Sequence, residues 1–209
     1  MPEAPSPSST RAAVSPSLRE RTRAAMREEV SEVAFRLFAE QGFDKTTVEQ
    51  IAAEAGLGRT TFFRYFGTKE DLVLRKVGEF GHEVAAALAA RPADERPWEA
   101  LRRSFDVITD PQADEVQPSL SRMQLLSDAC SLMTRKWEKT QGWQSMMAPV
   151  LARRLGGSGS ADDIRAQALV ASAISCLDAA TDAWTAADGT TPLAVFVDQA
   201  MSALSELVD

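Results

Sequence analysis

The chain has 209 residues, of which 44% are hydrophobic and 25% are charged, and its net charge is −7. This is the composition of a folded globular protein, and no apolar run approaches the roughly 18 residues that a membrane-spanning helix requires. The negative charge excludes a general coat for nucleic acid, but it is uneven: residues 1–76 carry 12 Lys/Arg against 11 Asp/Glu, and residues 77–209 carry 11 against 19. A local basic surface in the first part is therefore still compatible with the composition.

The first residues are rich in Pro, Ser and Ala and lack the apolar centre of a signal peptide. This composition predicts a disordered tail over residues 1–17. Cys130 and Cys176 lie far apart in apolar helical contexts, which favours two reduced thiols over a disulfide. We therefore expect a cytoplasmic protein with no membrane segment.

The sequence next predicts two helices. Apolar residues spaced at i, i+3, i+4 and i+7 predict an amphipathic helix from about residue 18 to residue 41, and Gly42 ends it. Thr47 is followed three positions later by Gln50, the spacing of a capping box. This pair predicts the start of a second, short helix.

A tight turn at residues 56–58 leads to the third helix, predicted over about residues 59–66. Thr68 and Asp71 have the spacing of another capping box, which predicts the start of a fourth helix. That helix is expected to continue to about residue 90, where a polar segment with two prolines follows.

The rest of the chain is also predicted to be helical. The expected helices begin at Pro97, form a pair between about 118 and 155, and then cover about 161–187 and 192–207. Polar and glycine-rich breaks separate them, and no alternating strand pattern or repeat is found. The sequence therefore predicts an all-α fold with about nine helices.

Two short helices joined by a glycine-containing turn are typical of a helix-turn-helix, whose second helix enters the DNA major groove. In the third helix, Phe62 and Phe66 share a face and are predicted to turn inward against Leu37, Phe38 and Ile51. The opposite face carries groups that suit base edges: Thr60, Thr61 and Arg64, flanked by Phe63 and Tyr65. An aromatic minicore of a helical enzyme or scaffold would explain the inward pair but not the polar outward face.

The run Phe35–Leu74, centred on TTVEQIAAEAGLGRTTFFRYFGTKEDL, resembles the N-terminal domain of TetR-family transcriptional regulators. The resemblance implies an all-helical homodimer with a three-helix DNA-binding domain, here residues 18–68. A larger effector-binding and dimerisation domain would follow over residues 69–209. Carried over by position, the resemblance implies DNA contacts from Thr47, Arg59, Thr60, Thr61, Arg64, Tyr65 and Lys69. Phe63 stands where a tyrosine is common, so its ring would only pack on sugar or a thymine methyl, and Gly58 replaces a common serine cap.

Four arginines lie at the start of the first helix: Arg19, Arg21, Arg23 and Arg27. One interpretation is an arm that reaches the DNA backbone or minor groove, as homeodomain arms do. The other is a solvated charged end, because glutamates are interspersed among the arginines. The sequence leaves both open.

All four tryptophans and five of the seven methionines lie beyond residue 90. Such side chains can line an adaptable pocket, but they are also ordinary core residues. The resemblance implies a ligand cavity among the later helices, and part of this region faintly resembles a TetR subgroup with acyl-CoA-like ligand-binding domains. The candidate lining residues are Phe105, Met123, Met133, Trp137, Met147, Cys176 and Trp184.

Asp178 and Asp182 lie four positions apart on one face of the long helix near the chain's end. They could meet a cationic ligand or a bound ion. Two further interpretations are a pair of solvated carboxylates and partners of Arg153 and Arg154.

The chain has one histidine, His82, and lacks glycine-rich phosphate loops and paired-cysteine metal motifs, so no enzyme, cofactor or metal is expected. The resulting hypothesis is a one-component repressor that binds a palindromic double-stranded DNA operator as a homodimer. A small apolar or amphipathic effector would release it. The alternatives are an activator, or a DNA-binding dimer that is ligand-independent or controlled by a protein partner.

Overall fold

The computed structural model describes residues 17–110, 116–157 and 163–208, so most of the predicted N-terminal tail lies outside it. The described residues form ten helical segments: α1 (Leu18–Gln41), α2 (Val48–Glu54), α3 (Arg59–Phe66), α4 (Lys69–Ala90), α5 (Pro97–Ser104), α6 (Asp106–Thr109), α7 (Val116–Asp128), α8 (Cys130–Arg154), α9 (Ile164–Ala186) and α10 (Leu193–Val208). The all-α prediction is confirmed. The helix beyond the expected nine is α6, a four-residue segment that directly follows α5.

Both predicted capping boxes are present. The Thr47 hydroxyl accepts from the Gln50 amide at 3.2 Å, and the Gln50 side chain accepts from the Thr47 amide at 2.8 Å. Thr68 and Asp71 make the same reciprocal pair at 3.1 and 3.0 Å. These bonds satisfy amides that have no partner within the helix, which is why the starts of α2 and α4 could be read from the sequence.

α7 begins at Val116, slightly earlier than the expected start near residue 118. Pro118 therefore lies inside the first turn of the helix. The first four amides of a helix have no intrahelical acceptor, so a proline there removes no hydrogen bond. The helix can therefore begin two residues before the proline.

The first three helices share a core built on α3. Phe62 is fully buried and Phe66 nearly so, with their ring centroids 5.1 Å apart. Leu37, Phe38 and Ile51 are buried in the same cluster, so the predicted inward face of α3 is confirmed. Two aromatic rings thereby fix the orientation of a helix that is only eight residues long.

α4 runs against α8 along most of its length, and a glycine permits the closest approach. A Cβ atom placed at Gly81 would lie 2.4 Å from Cδ1 of Trp143. The indole is fixed there because its Nε1 donates to the carbonyl of Val77 at 3.0 Å. A side chain at residue 81 would have to displace the indole or move the two helices apart.

The end of α4 is also held by α8. The Arg154 guanidinium donates to the carbonyls of Arg91 and Pro92, at 3.0 and 2.5 Å, and to that of Glu95 at 3.3 Å. These carbonyls belong to the turn that follows α4. Arg154 therefore replaces the hydrogen-bond partners that the turn would otherwise find in water.

The last helix packs on α5. The Trp98 indole donates to the Met201 carbonyl at 3.2 Å, and Arg102 joins Asp198 on α10 and Asp106. Both side chains connect segments far apart in the sequence. They fix α10 against α5.

Candidate DNA-binding surface and effector cavity

The outward face of α3 carries the polar side chains predicted to meet DNA. Thr60 and Arg64 are exposed, and Thr61 and Tyr65 are half-buried on the flanks. Phe63 keeps 42% of its surface exposed. A helix fixed from behind by two rings thus presents hydroxyl and guanidinium groups to solvent, the groups that hydrogen-bond base edges and phosphates.

Two aromatic rings support the arginines of α3. The guanidinium of Arg59 lies 5.5 Å from the centroid of Phe63, and that of Arg64 lies 4.9 Å from the centroid of Tyr65. Arg59 also pairs with Glu49 of α2, Nε to Oε1, at 3.0 Å. Stacking of this kind favours extended guanidinium groups on the helix surface. Phe63 therefore has a role within the chain that the sequence analysis missed.

Lys69 is directed toward the protein. Its Nζ donates to the carbonyls of Phe43 and Thr46 at 2.6 and 3.0 Å and lies 4.3 Å from the centroid of the Phe43 ring. The ammonium thus ties the loop between α1 and α2 to the first residue of α4. The hydroxyl of Thr47 is likewise used in its capping box, although the residue is exposed.

Replacing Lys69 with methionine is expected to lower the free energy of unfolding by about 1–2 kcal/mol, because two carbonyls lose a charged donor at a partly exposed position. Urea unfolding of the purified variant measures this. Lys45→Met, at an exposed lysine of the same loop, is the matched control and should leave stability unchanged. Unaltered stability in Lys69→Met together with weaker DNA binding would assign Lys69 to phosphate contact alone.

The N-terminal arginines lie on a helical extension. Residues 17–19 and 21–25 are exposed, and Arg27 is half-buried. Arg19, Arg23 and Arg27 are spaced four apart, so they form one stripe along α1. This geometry is compatible with both interpretations of the arm.

A cavity of about 400 Å³ lies among α4, α6, α7, α8 and α9. Its walls are mainly apolar and include Val77 and Phe80 of α4, Trp143 of α8 and Leu177 of α9. A second, more open cavity of about 600 Å³ adjoins it between α7, α8 and α9. We call them the inner and outer cavities.

Five side chains line both cavities: Met123, Lys136, Thr140, Asp178 and Thr181. Among them, Lys136 Nζ and Asp178 Oδ1 form an ion pair at 3.1 Å. The pair joins α8 to α9 at the junction of the two cavities. Asp178 is therefore partnered by Lys136, and the interpretation that Arg153 and Arg154 pair with it is wrong.

Four of the candidate lining residues lie at these cavities. Met123 lines both, Trp184 lines the inner one, and Met133 and Trp137 line the outer one. Met133 and Trp137 remain 52% and 62% exposed, so they lie at the solvent side of the outer cavity.

Three candidates line neither cavity: Phe105, Met147 and Cys176. Phe105 and Met147 are fully buried in the core, and the Cys176 thiol lies 3.5 Å from the carbonyl of Ala200 on α10. Burial raises the pKa of this thiol. These residues pack helices together, the ordinary use of methionine, cysteine and aromatic side chains.

Three lining residues that share one face of α9 were not among the predicted candidates: Ile174, Leu177 and Thr181. Their spacing with Trp184 is helical and would have marked a common face. The spacing alone does not distinguish a face that lines a cavity from one that is fully packed.

Within the described ranges, none of the helices combines the length and the apolar character of a membrane span.

Comparison with known proteins finds matches over both parts of the chain. Residues 31–75 match the family model of bacterial regulatory proteins of the tetR family, and residues 95–209 match the MftR C-terminal domain. The chain is 30% identical over 175 residues to the HTH-type transcriptional regulator TcmR of Streptomyces glaucescens, covering 81% of this chain and 77% of TcmR. It is 27% identical over 137 residues to the regulator MftR of Mycobacterium tuberculosis, covering 66% and 69% of the two chains.

Solved structures show the same fold. FadR of Thermus thermophilus, described as a TetR-family repressor in complex with lauroyl-CoA, aligns with a TM-score of 0.56 and 23% identity over 85% of this chain and 92% of its own. FadR of Bacillus subtilis in complex with stearoyl-CoA aligns with a TM-score of 0.53 and 17% identity over 85% and 96%.

Proposed function

Because this chain belongs to the TetR family of DNA-binding transcriptional regulators, which are not enzymes, we propose that it is an operator-binding repressor released by a small effector. One observation carries this proposal: α4 begins directly after α3 and contributes Val77 and Phe80 to the inner cavity. A single helix therefore adjoins both the candidate DNA-binding surface and the candidate effector site. The DNA-binding unit would be residues 18–68 and the effector-binding unit residues 69–209.

On the operator, Arg64 and Thr60 would contact base edges, and Thr61, Tyr65 and Arg59 would contact bases or nearby phosphates. The N-cap of α3 is Gly58, which makes no side-chain cap bond, so the first amides of the helix remain available to a phosphate. Thr47 and Lys69 would contribute chiefly by fixing the elements that surround α3. Phe63 would pack on sugar or a thymine methyl.

Two copies would associate through α9 and α10. The exposed face of α9 is rich in small residues, including Ala168, Ser175, Ala179 and Ala183, and Val195 of α10 is 40% exposed. Small residues allow two helices to approach closely around a twofold axis. A dimer of this kind would place its recognition helices about 34 Å apart, one turn of DNA, and would match a palindromic operator.

The effector proposed here is small, apolar or amphipathic, and without large negative charge. The inner cavity is mainly apolar, and its charged lining residues balance as Arg122 and Lys136 against Asp110 and Asp178. The charged residues that line the outer cavity are one lysine, Lys136, and two aspartates, Asp178 and Asp182. Two carboxylates disfavour the phosphates of a coenzyme A group, so the acyl-CoA ligands of the FadR structures are an alternative for the test.

Selection of bound fragments from genomic DNA with the purified full-length protein tests operator binding. A palindromic consensus is expected, and recovery of no enriched sequence would contradict the proposal. Transcription in vitro from an enriched fragment, with and without the protein, distinguishes repression from activation.

Melting of the protein with dodecanol, dodecyltrimethylammonium and lauroyl-CoA tests the effector class. A ligand at 100 times its Kd should stabilise the fold by about 2.7 kcal/mol. We expect dodecanol or the ammonium compound to raise the Tm and to lower operator affinity. If no compound does so, the ligand-independent or partner-controlled dimer is the better account.

A further inference from the structure

Two consecutive residues of α8 hold different helices. Arg135 Nη1 donates to the hydroxyl of Thr68 at 3.0 Å, and its guanidinium lies 3.3 Å from Asp71 and 3.9 Å from Glu70. All three partners belong to the cap and first turn of α4. The next residue, Lys136, pairs with Asp178 of α9 at the junction of the two cavities.

The cap held by Arg135 follows α3, the proposed recognition helix, with a single residue between them. That residue is Gly67, at φ 71°, and a Cβ atom there would lie 2.7 Å from Oδ2 of Asp71. The chain therefore passes from α3 into α4 through a tight turn packed on the Asp71 carboxylate. Displacement of that carboxylate would remove the side chain on which the turn after α3 packs.

Asp71 is the centre of this contact. Burial opposes its ionisation, but hydrogen bonds from Thr68 and the charges of Arg135 and Lys139 hold the pKa of the carboxyl below its ordinary value. The ionised carboxylate accepts from the Thr68 amide and hydroxyl, both at 3.0 Å, and also faces Arg135. Loss of Arg135 would therefore weaken the cap and remove the ion pairs with Asp71 and Glu70.

We propose that Arg135 and Lys136 link the effector cavity to the recognition helix, so that the Lys136–Asp178 pair controls how firmly Arg135 holds the cap of α4. This inference rests on the proposed function, because it assigns the regulatory route of that cavity. A ligand between α8 and α9 competes with the ion pair and moves the turn of α8 that carries both side chains. The guanidinium then leaves Thr68 and Asp71, and α3 is no longer held in its DNA-binding position.

Such a link regulates only if the ligand prefers the state in which the cap is released. The ion pair and the cap contact would then form and break together, as two contacts of one turn of α8. Coupling of this kind is measured by non-additivity of substitutions at the two positions.

Amide hydrogen exchange tests the link in the full-length protein without DNA or ligand. The variants are Lys136→Met, Arg135→Gln and the double variant, and the reporters are the amides of Thr68 and Asp71. Lys136→Met should accelerate exchange at these amides about threefold or more in the parent, and much less in the Arg135→Gln background. Glu138→Gln, an exposed position of the same turn, is the control and should have no effect.

Two results would overturn the link: additive effects of the two substitutions, or unchanged exchange at Thr68 and Asp71 in Lys136→Met. Arg135→Lys keeps the charge without the guanidinium geometry and should fall between the parent and Arg135→Gln. Circular dichroism on each variant verifies that it is folded.

The operator provides the second readout. With whichever of the three tested compounds raises the Tm, Arg135→Gln should keep that Tm shift and lose most of the ligand-dependent drop in operator affinity. A normal drop in this variant would overturn the inference. If none of the three compounds binds, the proposed effector class fails, while hydrogen exchange still decides the link.

Discussion

Gly81→Ala is expected to lower the free energy of unfolding by about 1–3 kcal/mol, although alanine is the better helix former. The added methyl would lie 2.4 Å from Cδ1 of Trp143 and 2.7 Å from Cε of Met146. The methionine can move aside, but the indole is held by its hydrogen bond to the Val77 carbonyl. The helices must separate or that bond must break. Thermal unfolding at matched protein concentration measures the loss, as roughly 2–4 °C per kcal/mol.

Gly78→Ala is the matched control, at the same helix one turn earlier. A Cβ atom there meets only the Lys139 side chain, at 3.6 Å, which is ordinary van der Waals contact. The gain in helix propensity then dominates, and stability should rise by about 0.5–1 kcal/mol. A stability change of opposite sign for the same glycine-to-alanine substitution at residues 78 and 81 would place the close α4–α8 contact at residue 81. A stabilised Gly81→Ala variant would contradict the described packing.

Arg64→Ala is expected to cost about 1–3 kcal/mol of operator affinity and to relax preference at particular base pairs. Arg64 is exposed and stacked on Tyr65, and in the described part of the chain no carboxylate pairs with it. The guanidinium is therefore available for bidentate contact with a guanine. Fluorescence anisotropy with the selected operator and its single-base variants gives the change in specificity.

Lys45→Ala provides the contrast for that measurement. This lysine is exposed on the loop before α2 and should act on DNA as a charge only. Its loss should weaken binding to all DNA sequences alike. The salt dependence of that binding should fall by about one phosphate contact at most. Equal loss of specificity in both variants would remove Arg64 from the base-reading role.

Local signals made much of the fold predictable. The bonds at Thr47–Gln50 and Thr68–Asp71 span three residues each, so their spacing in the sequence was sufficient. The inward face of α3 likewise followed from Phe62 and Phe66, four positions apart. Short-range geometry of this kind hardly depends on the rest of the fold.

The cavity depended on long-range packing that spacing does not encode. Met147 and Trp143 lie one turn apart on α8, yet the first is enclosed by the core and the second lines the inner cavity. Lys136 and Asp178 meet only because α8 packs against α9. The contacts of Lys69 also depend on long-range packing. The resemblance implied a contact with a DNA phosphate, while the ammonium donates to two carbonyls of the loop preceding α2.

The contacts of α8 with both ends of α4 have a consequence for hybrid regulators. Arg135 holds the start of α4, Trp143 holds its middle, and Arg154 holds the turn beyond its end. The two helices are therefore fixed to each other along the length of α4. A chimera that joins the first three helices of this chain to the remainder of a relative would retain the recognition surface. It would respond to the donor's inducer only if the grafted half supplied a counterpart of Arg135 at the new junction.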